Sequence, residues 1–227
     1  MNKFLIRSFD IILSSIALIV LSPLLLPIIL ILRLTAEGEV FYRQQRVGMY
    51  GKSFGLIKFA TMLKNSENMG TKTLTIKGDS RILPFGHFLR KTKINELPQL
   101  FNIFIGNMSV IGPRPQTEES FNYFPEEHKK NLILMKPGLS GIGSIIFSNE
   151  EFMLDGKEDP IDFYRTSIAP YKADLEIWYL NEKNKVFLYI FFIFATIVAV
   201  IGVKKTYLYK LFDSMPRVPE KLKNYIY

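Results

Sequence analysis

Apolar residues are unevenly spread along this chain: two long runs near its ends enclose a polar middle. The first, IILSSIALIVLSPLLLPIILIL, covers about 22 residues between Asp10 and Arg33. As straight helix at ~1.5 Å per residue it matches the hydrocarbon thickness of a bilayer. A cleavable leader has a shorter apolar stretch and a small-residue exit, whereas this run leads into Arg33, Leu34 and Thr35, so the segment is expected to stay attached. Ser22-Pro23 sits mid-run and Pro27 follows one turn later. Proline costs an unbroken helix about 3 kcal/mol, because it lacks a donor and crowds the carbonyl one turn back. Two forms fit: a kinked spanning helix, or a helix-break-helix that returns to the leaflet it entered, with the Ser22 hydroxyl serving a freed carbonyl. Arg7 and Asp10, three residues apart, are spaced to pair at the membrane surface.

The second run, VFLYIFFIFATIVAVIGV from Val186 to Val203, has about 18 residues, marginal for spanning. Lys183 and Lys185 precede it and Lys204 and Lys205 follow, so the charge bias that orients membrane helices is silent. Between the runs, the pattern predicts a mixed α/β domain facing water. Val40–Val47 and Phe54–Phe59 read as strands joined in a hairpin across Gly48–Gly51. Helices are expected at about 84–91, 96–105, 117–135 and 161–182, with Pro125 and Pro170 limiting the last two. Lys136-Pro137-Gly138 reads as a turn leading into a loop with Gly141 and Gly143. Neither a dinucleotide-binding fingerprint nor a P-loop is present.

Composition narrows the chemistry. No cysteine is present and the histidines are His87 and His128 alone, which removes thiol catalysis, disulfides and iron–sulfur sites and leaves oxygen ligands for any metal. The formal charge of +8 favours anionic partners. No nucleic-acid motif accompanies that charge, so nucleic acid is not an expected partner.

Chemistry-bearing residues gather between 81 and 115. Asn95 is expected to cap a helix in which Pro98 is tolerated in the first turn and Gly106 supplies the stop. Leu97, Leu100, Phe101, Phe104 and Ile105 then share one apolar face that can pack on the domain or rest on the membrane, and core packing is a sufficient account of it. Asn95 and Glu96 stand at the end where free N–H groups favour a phosphate or a carboxylate-held metal. Arg81, Arg90, Lys91 and Lys93 surround that end, and Pro113 and Pro115 brace Arg114. A preorganised guanidinium takes phosphate oxygens in pairs, which points to phosphorylated substrates.

These residues carry a resemblance. The segment LRKTKINELPQLFNIFIGNMSVIGPRP resembles the signature of the bacterial sugar transferase family, the monotopic phosphoglycosyltransferases. RSFDIILSSIALIVLSPLLLP, VFYRQQRVGMYGKSFGLIKFATM, GDSRILPFGHFLR and MKPGLSGIG extend it through the second apolar run. The resemblance implies transfer of a sugar 1-phosphate from a nucleotide-sugar, usually a UDP-sugar, to polyprenyl phosphate. UMP is released, and a surface glycan such as an exopolysaccharide or lipopolysaccharide is begun. The implied fold is a helix-rich α/β cytoplasmic domain with interfacial amphipathic helices. Its re-entrant N-terminal helix, broken at Ser22-Pro23, holds it to the bacterial inner membrane with the active site facing the cytoplasm. The corresponding division is 1–37 for that helix, 38–183 for the catalytic domain, 184–205 for a membrane-embedded or interfacial helix and 206–227 for a basic tail. Membrane lipids are partners in this reading, and a homodimer is compatible with it.

The family's chemistry rests on an Asp-Glu pair with Mg²⁺, the Asp forming a covalent phosphosugar intermediate. Here the pair is Asn95-Glu96. A carboxamide is a poor nucleophile, although its oxygen can still ligate Mg²⁺. Three routes stay open: Glu96 as nucleophile, direct attack by polyprenyl phosphate, or substrate binding without turnover, as in a silent scaffold or lipid-phosphate-binding homologue. Ala60 stands where the family carries a basic residue, Asn107 replaces an Asp, and Ile142, Gly143 and Ser144 replace Trp-Ala-Gln. The resemblance assigns Glu96 and Asn95 to catalysis and metal, and Arg114, Arg90, Lys58 and Arg81 to substrate phosphate. Asp79 is expected to cap a turn or pair with Arg81, and the acidic stretch Glu150, Glu151, Asp155, Glu158, Asp159 and Asp162 to form a solvated lip or, alternatively, to bring a second carboxylate near the metal. His87 and His128 read as surface or packing residues.

Overall fold

The computed structural model describes residues 2–35, 37–69 and 79–226, without the side chains of Asn2, Glu67 and Glu151. Helix α1 (Asn2–Leu34) is uninterrupted and carries Pro23 and Pro27 inside it. The expected break at Ser22-Pro23 is thus corrected, and local chemistry explains why. Pro23 cannot donate to the Ile19 carbonyl four residues back, and the Ser22 hydroxyl donates to that oxygen at 2.7 Å.

Tertiary contacts hold α1 along most of its length. Ile6 and Phe9 pack on the main core, Ala17, Leu18 and Leu21 on Leu56, Leu100, Ile103 and Met108, and Ile28 and Leu32 on Phe59 and Leu89. Ile12, Ile16, Ile19, Val20, Leu26 and Leu30 on its open side are each more than half exposed. Among the described residues, it is the one helix long and apolar enough to cross a membrane. Arg7 and Asp10 take separate partners. Arg7 donates to the carbonyls of Ile103 and Phe104, both at 2.7 Å. Asp10 is buried and accepts at Oδ1 from the Ser109 hydroxyl, the Val110 N–H and the Tyr189 hydroxyl, each at 2.8 Å.

The hairpin forms as the alternation predicts. Strands β1 (Phe41–Val47) and β2 (Ser53–Phe59) pair antiparallel from Phe41 opposite Phe59 to Val47 opposite Ser53. Helix α2 (Pro84–Lys91) starts at its proline and ends on Arg90 and Lys91, whose charges suit the carbonyl end of the dipole. The next helix begins later than expected. Lys93 adopts a left-handed conformation, Ile94–Glu96 form a 3₁₀ turn, and α3 runs only from Gln99 to Ile105. Asn95 is therefore buried in a turn and caps nothing. Gly106 ends α3 at φ 96°, a conformation that glycine adopts at little cost.

The apolar residues of α3 do not share one environment. Leu100 and Ile103 face inward, but Phe101, Phe104 and Ile105 are about half exposed. Buried Asn102 takes an inward place, accepting from the Ile57 N–H and donating to the Gly55 carbonyl, both at 2.9 Å.

Strand β3 (Ser109–Ile111) lies parallel to β4 (Gly138–Ser140), a long-range pair that the turn reading at 136–138 did not anticipate. Pro125 divides the expected 117–135 helix into α4 (Glu118–Phe121) and α5 (Glu126–Leu132). Two short helices follow, α6 (Ile142–Ile146) and α7 (Glu150–Leu154). The expected 161–182 helix is α8 (Pro160–Phe163), a π-helical turn over Tyr164–Ile168 and α9 (Ala169–Asn181), with Pro170 directly after the π-helical turn.

Helix α10 (Lys185–Val200) buries Leu188, Tyr189, Phe192 and Ala195 while Phe187, Phe194, Ile197 and Val200 stay exposed. Of the expected tail 206–227, the described residues 206–226 fold back onto the domain through α11 (Thr206–Leu211) and α12 (Lys223–Ile226). Leu208, Met215, Val218, Leu222 and Ile226 are buried in the main core beside Tyr171, Leu175 and Trp178 of α9. The Trp178 N–H donates to the Ser214 hydroxyl and the Tyr171 hydroxyl to the Pro216 carbonyl, both at 2.9 Å.

Candidate active site

The site lies where the hairpin, the 3₁₀ turn and the Pro113–Gln116 segment meet. β2 packs on the turn that holds Glu96. The Val47 N–H donates to the Gln116 carbonyl at 2.9 Å and the Gly138 N–H to the Pro113 carbonyl at 2.8 Å, which pins the backbone on both sides of Arg114. Arg114 then meets Glu96 with both ends of its fork, Nη2 to Oε1 at 2.6 Å and Nη1 to Oε2 at 3.3 Å. Its two prolines and these strand contacts fix the backbone before any ligand arrives.

Burial would push the Glu96 carboxyl up, but Arg114, with Lys58 and Lys93, outweighs burial and draws it down to about 2. Glu96 in turn holds the Arg114 guanidinium above its ordinary value, against burial. Burial brings Lys58 on β2 down to about 7; Glu96 opposes this, and Arg114, Arg46 and Arg90 add to it. Arg46, the last arginine of β1, is lowered to about 10 by burial and by Arg114, and donates to the Pro115 carbonyl at 3.1 Å. One carboxylate thus stands among several cations, the electrostatics of an anion pocket.

The structure gathers Lys58, Asn95, Glu96 and Arg114, with Arg90 in electrostatic reach of Lys58 and 3.4 Å from the Thr61 hydroxyl. Arg81 is engaged elsewhere. It is buried, donating to Asp79 from Nε at 2.9 Å and Nη2 at 2.6 Å and to the Ser66 and Met69 carbonyls at 2.7 and 2.8 Å. This is the local Asp79 pairing the sequence suggested, and it ties Arg81 to the Ser66–Met69 backbone. His128 meets Asp174 at 2.8 Å between α5 and α9, a packing role.

Sequence reasoning missed Arg46, although strand alternation puts it on the same side of β1 as Tyr42, whose partner across the hairpin is Lys58. It also missed Lys172, which ion-pairs with Glu150 beside Tyr164; both act electrostatically on Arg114, and Glu150 comes from the acidic stretch offered as a second carboxylate near the metal. They belong to α9 and α7, and no local pattern links them to residue 114. Glu150 is thereby drawn out of the expected acidic lip.

Oxygen donors for a hard cation are the Glu96 carboxylate and Asn95 Oδ1, which is buried and accepts no hydrogen bond among the described residues. No cluster of three acidic or histidine side chains suited to a metal occurs among those residues. Two protein oxygens beside a diphosphate are nonetheless a normal Mg²⁺ environment, since that ion takes few protein ligands and keeps phosphate oxygens and waters. The residues fit an ion that arrives with its phosphates.

The sequence profile described as Bacterial sugar transferase matches residues 1–203. The undecaprenyl-phosphate galactose phosphotransferase of Salmonella typhimurium is 36% identical over 164 residues, 66% of this chain and 34% of that protein. The UDP-glucose:undecaprenyl-phosphate glucose-1-phosphate transferase of Escherichia coli is 34% identical over 190 residues, 79% of this chain and 40% of its own. Exopolysaccharide production protein ExoY of Rhizobium meliloti is 34% identical over 158 residues, 63% of this chain and 70% of that protein. The similarity thus spans about a third of the Salmonella protein, two fifths of the Escherichia protein and most of ExoY.

Proposed function

We propose that this chain, which belongs to the bacterial sugar transferase family, transfers a sugar 1-phosphate from a UDP-sugar to polyprenyl phosphate and releases UMP, the first step of a surface glycan. The observation that carries this reading is the Glu96–Arg114 pair, fixed by backbone contacts on both sides of residue 114 and set among Lys58, Arg46 and Arg90. Phosphoryl transfer asks mainly for positioning and for neutralising charge on the phosphates, which is what such a pocket supplies.

The geometry favours direct attack over a protein nucleophile. Asn95 offers a carboxamide, and Glu96 has both oxygens engaged by Arg114 and its pKa near 2, which makes it a weak nucleophile. An oxygen of polyprenyl phosphate therefore bonds to the β-phosphorus of the UDP-sugar, the bond from that phosphorus to the bridging oxygen breaks, and UMP leaves with the electron pair. Lys58, Arg90 and Arg114 hold the diphosphate in line. Glu96 and the Asn95 oxygen would hold Mg²⁺, which, when bound, neutralises charge on the phosphates.

The exposed side of α1, with Phe101, Phe104 and Ile105 of α3 and Phe187, Phe194, Ile197 and Val200 of α10, supports a membrane seat; in this reading the membrane is the bacterial inner membrane and the site faces the cytoplasm. That seat puts the pocket beside a membrane-borne acceptor.

The test is UMP release from the full chain in nanodiscs, given Mg²⁺, polyprenyl phosphate and a panel of UDP-sugars, beside Asn95→Asp. Lipid-dependent UMP from the unmodified protein, with no phosphosugar adduct by mass spectrometry, is the expected result. Release from Asn95→Asp alone would overturn turnover by this chain.

A further inference from the structure

Helix α2 closes at Thr92, and the residue after it, Lys93, takes the left-handed conformation at φ 60°, ψ 8°. Its N–H donates to the Arg90 carbonyl at 3.1 Å, so it fills the place just past a helix end where glycine is favoured. A side chain there costs about 1–2 kcal/mol that glycine would not. The dipole of α2 does not account for the lysine, since Arg90 and Lys91 already stand in the last turn. Lys93 is exposed, and its side chain has no hydrogen bond or ion pair among the described residues. A cation held at a conformational cost, with no protein partner, points to a partner outside the protein.

Position selects that partner. The Lys93 carbonyl accepts the Glu96 N–H at 3.0 Å, closing the turn that presents Glu96, and the ammonium acts through space on the Glu96 carboxylate. The next residue, Ile94, packs with Leu89 on Ile28 and Leu32 of α1. Leu24, Leu26, Leu30, Ile31 and Leu34, on the same stretch of α1, are exposed apolar side chains. Lys93 therefore stands where the apolar helix meets the anion pocket. Arg114 and Arg46, by contrast, are held through the Pro113–Gln116 segment. In-line transfer puts the attacking phosphate and the departing UMP on opposite sides of the reacting phosphorus, so the two need separate cations. We propose that Lys93 binds the phosphate of the lipid acceptor at the edge of α1. The proposal rests on the transferase reading above and adds the residue that receives the membrane-borne substrate. A soluble nucleotide gains nothing from an apolar edge, whereas a polyprenyl chain lying along α1 carries its phosphate to that point.

The experiment is calorimetry on the detergent-solubilised full chain with a short-chain polyprenyl phosphate, the corresponding polyprenol and UMP. Lys93→Gln should bind the polyprenyl phosphate at least about tenfold more weakly than the unmodified protein, as loss of a charged hydrogen bond requires, with polyprenol and UMP unchanged. Lys93→Arg, which keeps the charge, should recover the affinity. Lys93→Gly should lose as much as Lys93→Gln while melting no lower than the parent, because relief of the left-handed residue offsets the freedom that glycine adds to the unfolded chain. That pairing separates a lost ligand contact from a damaged fold. An unchanged affinity for polyprenyl phosphate in Lys93→Gln overturns the proposal, as does a parallel fall for UMP or an equal fall for the polyprenol. UMP release by a chain whose lipid-phosphate binding ignores Lys93 would remove the contact and leave the transferase; Lys93-dependent binding without UMP release would do the reverse.

Discussion

The Tyr189 hydroxyl donates to Asp10 Oδ1 at 2.8 Å across 179 residues of chain, joining the two apolar segments through one buried carboxylate. Ser109 and the Val110 backbone share that oxygen, so α1, β3 and α10 are fastened at a single point. Asp10→Ala strands three donors in the interior and is expected to cost roughly 3 kcal/mol. Chemical denaturation of the detergent-solubilised chain measures this. A loss no larger than that of a surface substitution would show the hub to be dispensable.

The Arg114–Glu96 pair gives a stability term with a definite direction in pH. The folded-state pKa of Glu96 is depressed from 4.5 to about 2. Its contribution is therefore fully present above the unfolded value and is lost as pH falls toward about 2. Arg114→Gln should be less stable than the parent above pH 4.5, the two curves converging below it. Arg114→Lys keeps the charge but loses the fork, and UMP release is expected to fall on the order of 100-fold.

Lys58 works in the opposite range. The unfolded chain keeps this proton to about pH 10.5 and the folded one to about 7, so folding stability from this group rises with pH between those values. Its grip on phosphate has the reverse dependence, because the amine loses its charge there. Pyrophosphate affinity should drop as pH passes through about 7, and Lys58→Arg should flatten the profile in a calorimetric titration. An unchanged slope in that variant would assign the effect to another group.

The 206–226 segment should behave as core. Leu208→Ala or Leu222→Ala removes a fully buried side chain and is expected to cost about 2–5 kcal/mol. Loss of thermal stability comparable to that of Leu175→Ala on α9 is the expected result. A nearly neutral effect would mean that the fold does without the segment.

Much of this organisation was legible before the coordinates. Alternation over 40–59 and the glycines at 48 and 51 specify the hairpin, because a strand's inward and outward positions repeat every two residues. Pro84 and Gly106 mark a helix start and a helix stop through their own dihedral limits. The motif that carries Asn95, Glu96 and Arg114 marked the site, and the structure unites Glu96 with Arg114 as one ion pair. Misjudged boundaries cluster where proline's local effect competes with tertiary contact. Pro98 delayed α3, whereas Pro23 left α1 whole once a serine hydroxyl and a packed face made up the loss.

The sequence by itself determined the apolar ends, the hairpin, the family and the segment that carries Asn95, Glu96 and Arg114, since each is written in neighbouring residues or in a motif of fixed spacing. Only the tertiary structure decided that α1 stays continuous, that Glu96 and Arg114 meet as a pair, that Arg81 is held by Asp79 and the Ser66 and Met69 carbonyls, and that residues 206–226 complete the core. Each of these depends on what a side chain meets far along the chain. Burial and electrostatic coupling act through space, and one strand of text does not record which distant groups will share it.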